Sequence, residues 1–544
     1  MSNLFQARKK ASGGMSVDSL TITQMPFKTY YLQNETLDLT GLKVTATAGA
    51  LSGDVSNLIT TQPASGATMS TLGTNTVTIS YGGATTTFNV TVAVVPETLN
   101  DCSWDLIQEL AFAGTLGDYY NEGDTKEITI GANTITMQLA SINDGTGTAG
   151  QYYPNGTADF VSVELLPDLH VMNSTATNVG GWNGSQMRTY LNETVYPTLP
   201  NDLKSVIVEK THMRTAGNQS TSLVSASDKL WLPTFAECFG AVTQASYGED
   251  SVHNKQYSIF TNNSSRIKKI NDSVRVWWLS TPRIDDNTLF AGVGTDGSAA
   301  SYTNTPANRQ NGVALCFRIG KSLENTDWDE IATITRQGRL GDIAKEGDTK
   351  EITLTTSETL TLQLASINDG TGTAGTYYPA NTADFISVEL MDSTHVMNST
   401  ATNVGGWNDC EMRTYLNETV YPTLPSALKS VIIEKTHMHT AGNQSHDLVS
   451  ASDKLWLPTT YEMFGENSQY YLDDADHNIY YSIFPDNASR IKYRKAAPTS
   501  ARIWWLSSPD VSDSTDFAIV NSDGSRSNYS ANNSYGVVLG LRIG

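Results

Sequence analysis

The side chains able to do chemistry in this chain come in pairs about 225 positions apart. His170 and His395 open "HVMNSTATNVGGWN", His212 and His437 close "EKTHM", and Asp144 and Asp369 sit in the Gly-rich "SINDGTGTAG". A histidine can act as general base only beside a nucleophile and a partnered acid, and neither stands at a recognisable turn here, so both histidine pairs are expected to be structural. Asp144 and Asp369 are expected to close Asx turns. Trp407-Asn408-Asp409 resembles a carbohydrate-site triplet, but calcium needs six or more oxygens, and the first copy reads "GGWNGS". The four cysteines, Cys102, Cys238, Cys316 and Cys410, are each unmatched in the other copy, facing Thr326, Met463, Gly540 and Ser185. That excludes a disulfide that both copies need, and without CxxC or Cys/His spacing it excludes zinc. No catalytic residue, metal or cofactor is expected.

What remains is recognition chemistry. The chain ends on "GSRSNYSANNSYGVVLGLRIG", a polar stretch with two tyrosines before an apolar strand. Tyr gives contact area at low entropic cost, while Ser and Asn give adaptable polar contacts. The expected binding surface is Tyr302, Asn304, Asn308, Arg309 and Asn311 in the first copy, and Arg526, Asn528, Tyr529, Asn532, Asn533 and Tyr535 in the second. Arg318 and Arg542, in the closing "RIG", are expected in buried salt bridges, with Asp228 and Asp453 as partners.

The elements that position these residues follow from the repetition. "LVSASDKLWLPT" also occurs twice, so two whole domains lie in tandem, at 104–320 and 328–544, joined by 321–327. The copies agree nearly letter for letter from about 141 to 235, and diverge in the later loops while "WWLS(S/T)P", "DGS" and "RIG" persist. Framework held and loops changed is the pattern of two display surfaces. "GSQMRTYLNETV" has helical spacing, stopped by Pro197, and "PNDLKSVIVEKTHM" reads as a helix turn passing into a strand. Thr234 with Glu237, and Thr459 with Glu462, form capping boxes. "VRVWWLSTP" is a strand in which Trp277 and Trp278 point to opposite faces, at least one into the core. Residues 16–95 alternate apolar and polar positions between Gly/Asn/Pro turns, as a β-sandwich does, with 96–103 as linker and 1–15 as an N-terminal arm.

Lys and Arg number 35 against 56 Asp and Glu, a net charge of -21, which disfavours nucleic acid as partner. No apolar run reaches about 18 residues, so no membrane insertion is expected. "MSNLFQARKKASGG" has basic residues without an apolar run behind them, unlike a secretory signal.

Two resemblances follow. "LTITQMPFKTYYLQNETLDLTGLKVTATAG", "NTVTISYGG" and "TFNVTV" resemble a bacterial group 3 Ig-like domain. Each repeat, through "GWN…MRTYLN…YPTLP", "DKLWLPT", "WWLS(S/T)P" and "RIG", resembles a domain family of unknown function from phage structural and gut-bacterial surface proteins. That family is similar to the C-type-lectin-like fold of phage receptor-binding and retroelement-diversified proteins, whose variable loop precedes a "GFR"-type ending; here the endings are "CFRIG" and "GLRIG". The implied fold class is mainly β plus α+β: an Ig-like β-sandwich followed by two tandem C-type-lectin-like α+β domains. Formylglycine-generating enzymes share that superfamily but use a cysteine pair near the C-terminus; here only Cys316 lies there, opposite Gly540.

The resulting expectation is a phage virion protein, a fibre, tail-tip or capsid-decoration subunit assembled in the host cytoplasm. It would contact other virion proteins through its N-terminal region and a host-surface glycan or protein through the loops, and form the homo-trimer usual for fibres. A bacterial cell-surface adhesin is the second expectation, and a formylglycine-type or glycan-active enzyme the third.

Overall fold

The computed structural model describes residues 17–240, 247–249, 252–300, 305–466, 470–472 and 476–544. The expected N-terminal arm lies outside the described residues. The protein is mostly β, with short helices. It divides into two compact units: the N-terminal sandwich together with Thr326–Gly544, and Val94–Asn325.

The N-terminal sandwich packs a three-stranded sheet, ordered Ser19–Gln24, Lys43–Ala48, Leu51–Asp54, on a four-stranded one. The second sheet runs Tyr30–Leu32, Ala84–Ala93, Gly73–Tyr81, Thr60–Gln62, with its first pair parallel. Alternation decides what is buried: Val44, Ala46 and Ala48 of "KVTATA" point inward, facing Val77, Ile79, Val90 and Val92. Tyr31 is fully buried, and its hydroxyl donates to the Lys28 and Asp38 carbonyls at 3.0 and 2.9 Å.

Each repeat opens with a helix, Trp104–Phe112 or Trp328–Arg336. Ser103 caps the first by accepting from the Leu106 N–H at 3.2 Å. Trp104 meets Phe160 and Phe317 edge-on, with ring centroids 5.3 and 5.7 Å away, and so binds helix to sheet. The sheet beneath runs Ile207–Val208, Cys316–Ile319, Thr157–Ser162, Asn133–Asn143, Thr125–Ile130, with Leu230–Trp231 also paired to Cys316–Ile319. Its second-repeat equivalent has the same order, with Gly540–Ile543 against Thr382–Ser387. Chain-terminal strands thus return to the middle of each sheet. Because both faces of Thr157–Ser162 are covered, all six residues of "TADFVS" are buried, rather than alternate ones.

The smaller elements mostly follow the sequence. Gln186–Thr189 is α-helical, as its spacing predicts, but continues as a π-helical turn, Tyr190–Val195, and a 3₁₀ turn, Tyr196–Thr198, that contains Pro197. Both capping boxes form: the Thr234 N–H donates to Glu237 Oε2 at 2.8 Å and the Glu237 N–H to Thr234 Oγ1 at 3.0 Å. Trp277, Trp278, Trp504 and Trp505 are all completely buried, so neither member of either pair lines a surface. The four cysteines are buried and free.

One stretch departs from its reading as a loop. Arg526–Ser530 is a strand, paired antiparallel to Asp516–Val520, and Tyr535–Gly536 pairs with Thr394–His395. Together with Trp504–Pro509 they make a five-stranded sheet in the second repeat.

Candidate functional site

Strand geometry divides the C-terminal residues of the second repeat between two faces. Arg526 and Asn528 share one side of their strand, and Ser527 and Tyr529 the other. The first side is committed inward. The Arg526 guanidinium lies over the Phe464 and Tyr471 rings at 5.4 and 5.7 Å, with Glu466 at 3.7 Å, and Asn528 Nδ2 donates to Asp510 Oδ2. Asn533 Nδ2 donates to the Ser530 carbonyl at 2.9 Å and holds the turn.

The second side is open. Tyr529 is 41% exposed and meets Tyr535 edge-on at 5.2 Å; Tyr535 in turn lies 5.1 Å from the buried Trp505. Trp505 Nε1 donates to the His395 carbonyl at 2.9 Å, which pins the strand that pairs with Tyr535. His395 stacks on Tyr415 at 4.0 Å, and its Nδ1 is 2.8 Å from the Val396 carbonyl, so the histidine is a structural spacer. Asn532 is exposed.

The first repeat presents a different surface. Tyr302 and Asn304 lie outside the described residues. Asn308 and Arg309 are exposed, but Asn311 is 3% exposed and leaves the proposed contact surface. The reason is pairing: the Asn311 N–H donates to the His170 carbonyl at 3.1 Å, and the His170 N–H to the Asn311 carbonyl at 2.9 Å. Tyr535 holds the equivalent position in the second repeat, where a longer side chain reaches out.

Each repeat also contains a buried ionic lattice that the sequence did not disclose as a unit. Arg318 Nε and Nη2 grip Asp159 at 2.6 and 2.9 Å, and Lys210 bonds Asp159 at 3.0 Å and Glu237. The Tyr257 hydroxyl touches both carboxylates, at 3.0 and 2.9 Å, and Tyr153 donates to Glu237 at 2.9 Å. Asp384, Arg542, Lys435, Glu462, Tyr481 and Tyr378 repeat it. The expected arginine partners, Asp228 and Asp453, are replaced by Asp159 and Asp384, which are the direct cross-strand neighbours of Arg318 and Arg542. Asp228 instead accepts from Trp182 Nε1 at 2.8 Å and Arg188 Nε at 2.5 Å, as Asp453 does from Trp407 and Arg413. Burial alone would raise the Asp384 carboxyl, but the Arg542 and Lys435 charges bring it down to about 2. The same opposition holds Asp159 and Glu237 below the ordinary carboxylate range. A sequence signal did exist: one acid inside an otherwise uncharged buried strand, in both copies, must find a cation.

The aspartates of the Gly-rich turns are engaged locally. Asp144 and Asp369 accept from Thr146 and Thr371, N–H and hydroxyl both, as Asx turns require. Among the described residues no group of three or more His, Cys, Asp or Glu could hold a metal ion, and Asn408 Nδ2 donates to the Ser450 carbonyl at 2.9 Å. Burial pushes the Cys316 thiol well up. Among the described residues no helix is long and apolar enough to cross a membrane.

Residues 159–319 and 382–542 each match the model of a domain of unknown function, DUF6273, and together these matches cover more than half of the chain. The chain belongs to this family. The first DUF6273 match begins on the lattice aspartate, Asp159, and the second two residues before Asp384; each runs to the strand that carries the arginine. Residues 24–92 match the group 3 bacterial Ig-like domain, in agreement with the sandwich. A search of curated proteins found no relative.

Proposed function

We propose that this protein is a phage virion display subunit, an accessory fibre, tail-tip or capsid-decoration protein, whose second DUF6273 repeat binds a host-surface glycan or protein. The observation that carries the reading is the contact of exposed Tyr529 with half-buried Tyr535, which is seated on buried Trp505; Asn532, between them in sequence, is exposed. Aromatic faces next to small amides suit a sugar ring or a protein loop, because they give contact area with little ordering cost. The C-type-lectin-like fold fits the return of each final strand to the middle of its sheet, with the loops gathered on a second, smaller sheet. The Ig-like domain acts as a spacer, with docking on other virion proteins through the N-terminal region, and the assembly is a homo-trimer completed in the host cytoplasm.

The test measures adsorption of the full-length protein to host cells and to a glycan array. Tyr529→Ala with Tyr535→Ala should lower binding at least about tenfold, the scale of lost aromatic hot spots. Unchanged adsorption by a folded variant overturns the site. Mass spectrometry of purified virions tests the setting. A bacterial surface adhesin is the second reading, favoured by the bacterial Ig-like match; it places the protein in the cell-surface fraction instead.

A further inference from the structure

The strand Lys210–Thr215 turns three basic side chains inward, Lys210, His212 and Arg214, since alternate residues share a face. Lys210 is satisfied by the lattice. The other two are not. Arg214 is 2% exposed and donates Nε to Ser280 Oγ at 2.8 Å, while both of its terminal nitrogens have no hydrogen-bond partner. His212 Nε2 and Trp231 Nε1 are equally unpartnered and buried. His212 meets Trp231 edge-on at 5.0 Å, and the Arg214 guanidinium lies over Trp182 at 5.1 Å.

No carboxylate among the described residues lies within 4.0 Å of Arg214. The nearby acids are engaged elsewhere. Asp228 serves Trp182 and Arg188, Glu237 serves Lys210 and Thr234, and Glu249 accepts from the Thr281 hydroxyl and the Ala236 N–H. His212 is held neutral by burial and by the charges of Arg214, Lys210, Arg318 and Arg188 around it. Asp228, Glu237 and Glu249 act on the guanidinium only from beyond contact distance, so Arg214 keeps a buried charge and N–H donors with nothing to receive them. A metal ion would be repelled there. An anion would satisfy the donors and the charge together.

We propose that the first repeat holds a small monoanion, a halide or a compact carboxylate, bound by Arg214 Nη1 and Nη2. The second repeat supplies the comparison. "EKTHMRTAGNQS" becomes "EKTHMHTAGNQS", so His439 stands in place of Arg214 and is the single change in twelve residues. The His437 and His439 rings are stacked 5.4 Å apart. Burial, Lys435 and Arg413 bring His439 down to about 3, so that cluster carries no charge at neutral pH. His437 Nε2, both His439 nitrogens, Trp456 Nε1 and Ser507 Oγ there are neutral polar atoms, suited to water. The anion belongs to the first repeat alone.

The experiment uses full-length protein crystallised from sodium bromide, and in a second arm from sodium formate. One bromide is expected within hydrogen-bonding distance of Arg214, by anomalous scattering, and none at His439. Formate at Arg214 in place of bromide assigns a carboxylate ligand; bromide in preference to formate assigns a halide. In solution, bromide or formate at about a hundredfold over its Kd should raise the melting temperature by about 5–10 °C at constant ionic strength. Arg214→His should abolish that shift, and His439→Arg should create a second bromide site. The proposal is overturned if neither ion is found at Arg214, if both repeats bind equally in the native protein, or if Arg214→His melts with an unchanged bromide and formate dependence. If Arg214→His fails to fold, His439→Arg decides: no added bromide site overturns the proposal.

Discussion

Replacing Asp384 by Asn removes the one charge that neutralises Arg542 while keeping the side-chain shape. Asp384 is completely buried, grips Arg542 at 2.6 and 2.8 Å, accepts from Tyr481 at 2.9 Å and lies 3.5 Å from Lys435. Breaking a buried pair from one side costs about 3–5 kcal/mol, because the other charge stays desolvated. Lys435 keeps Glu462, and Arg542 keeps the Tyr377 carbonyl at 2.6 Å, which sets the expected loss near the lower end, about 3 kcal/mol. For a unit of roughly 200 residues that is a fall in Tm of about 6–12 °C. The assay is urea and thermal unfolding of the full-length chain, with the unaltered first repeat as internal reference. Asp453→Asn is the control: its arginine partner is 30% exposed, so about 1–2 kcal/mol is expected. The double change Asp384→Leu with Arg542→Met should recover most of the loss, since an apolar pair carries no desolvation penalty. The acid limb tests the same charge. A carboxyl lowered from 3.8 to about 2 contributes stability that is complete above its ordinary value and is lost as pH falls through about 2. The variant should lack that limb. A shift under about 0.5 kcal/mol for Asp384→Asn, or a double variant no better than the single one, refutes the reasoning.

Three further outcomes are expected. Burial lowers Lys492 from 10.5 to about 7, so its unfolded form still binds a proton where its folded form does not; the urea midpoint should rise with pH between those values, and Lys492→Met should flatten the rise. Gly524→Ala should destabilise the second repeat by more than about 1 kcal/mol, read from its unfolding midpoint, because φ is +81° and a Cβ would stand 1.8 Å from the Asn487 carbonyl oxygen. Thiol titration with an aromatic disulfide should find no reactive cysteine in the native protein and four after denaturation, since all four are buried and free.

Local rules carried the reading where a feature is local. The Asx turns at Asp144 and Asp369, the Thr-x-x-Glu boxes and the alternation of "KVTATA" depend on residues within a few positions, and they appear as read. Register does not follow from such rules. Arg318 meets Asp159 across 159 positions, and nothing near either residue names the other, so Asp228 was as plausible a partner. "RSNYS" has no apolar face and reads as loop; it is a strand because Asp516–Val520 supplies the pairing edge and the buried side. Asn311 looked like a contact residue by composition and is buried by its pairing with His170. The setting of Arg214 was invisible for the same reason: Trp182 and Ser280, which touch it, lie in separated segments.

Near-identical repeats in one chain invite mistaken partnering during folding. "TADFVS" and "TADFIS" differ at one residue, so either would accept the other's closing strand by hydrogen bonding alone. The two closing strands differ at position 540, glycine in the second repeat and Cys316 in the first. A Cβ there would stand 2.7 Å from Trp456 Nε1, so the cysteine-bearing strand of the first repeat cannot seat against the second repeat's tryptophan without displacing it. The glycine thus fits the second sheet to its own terminus more closely than to its neighbour's, whose cysteine is matched to Trp231.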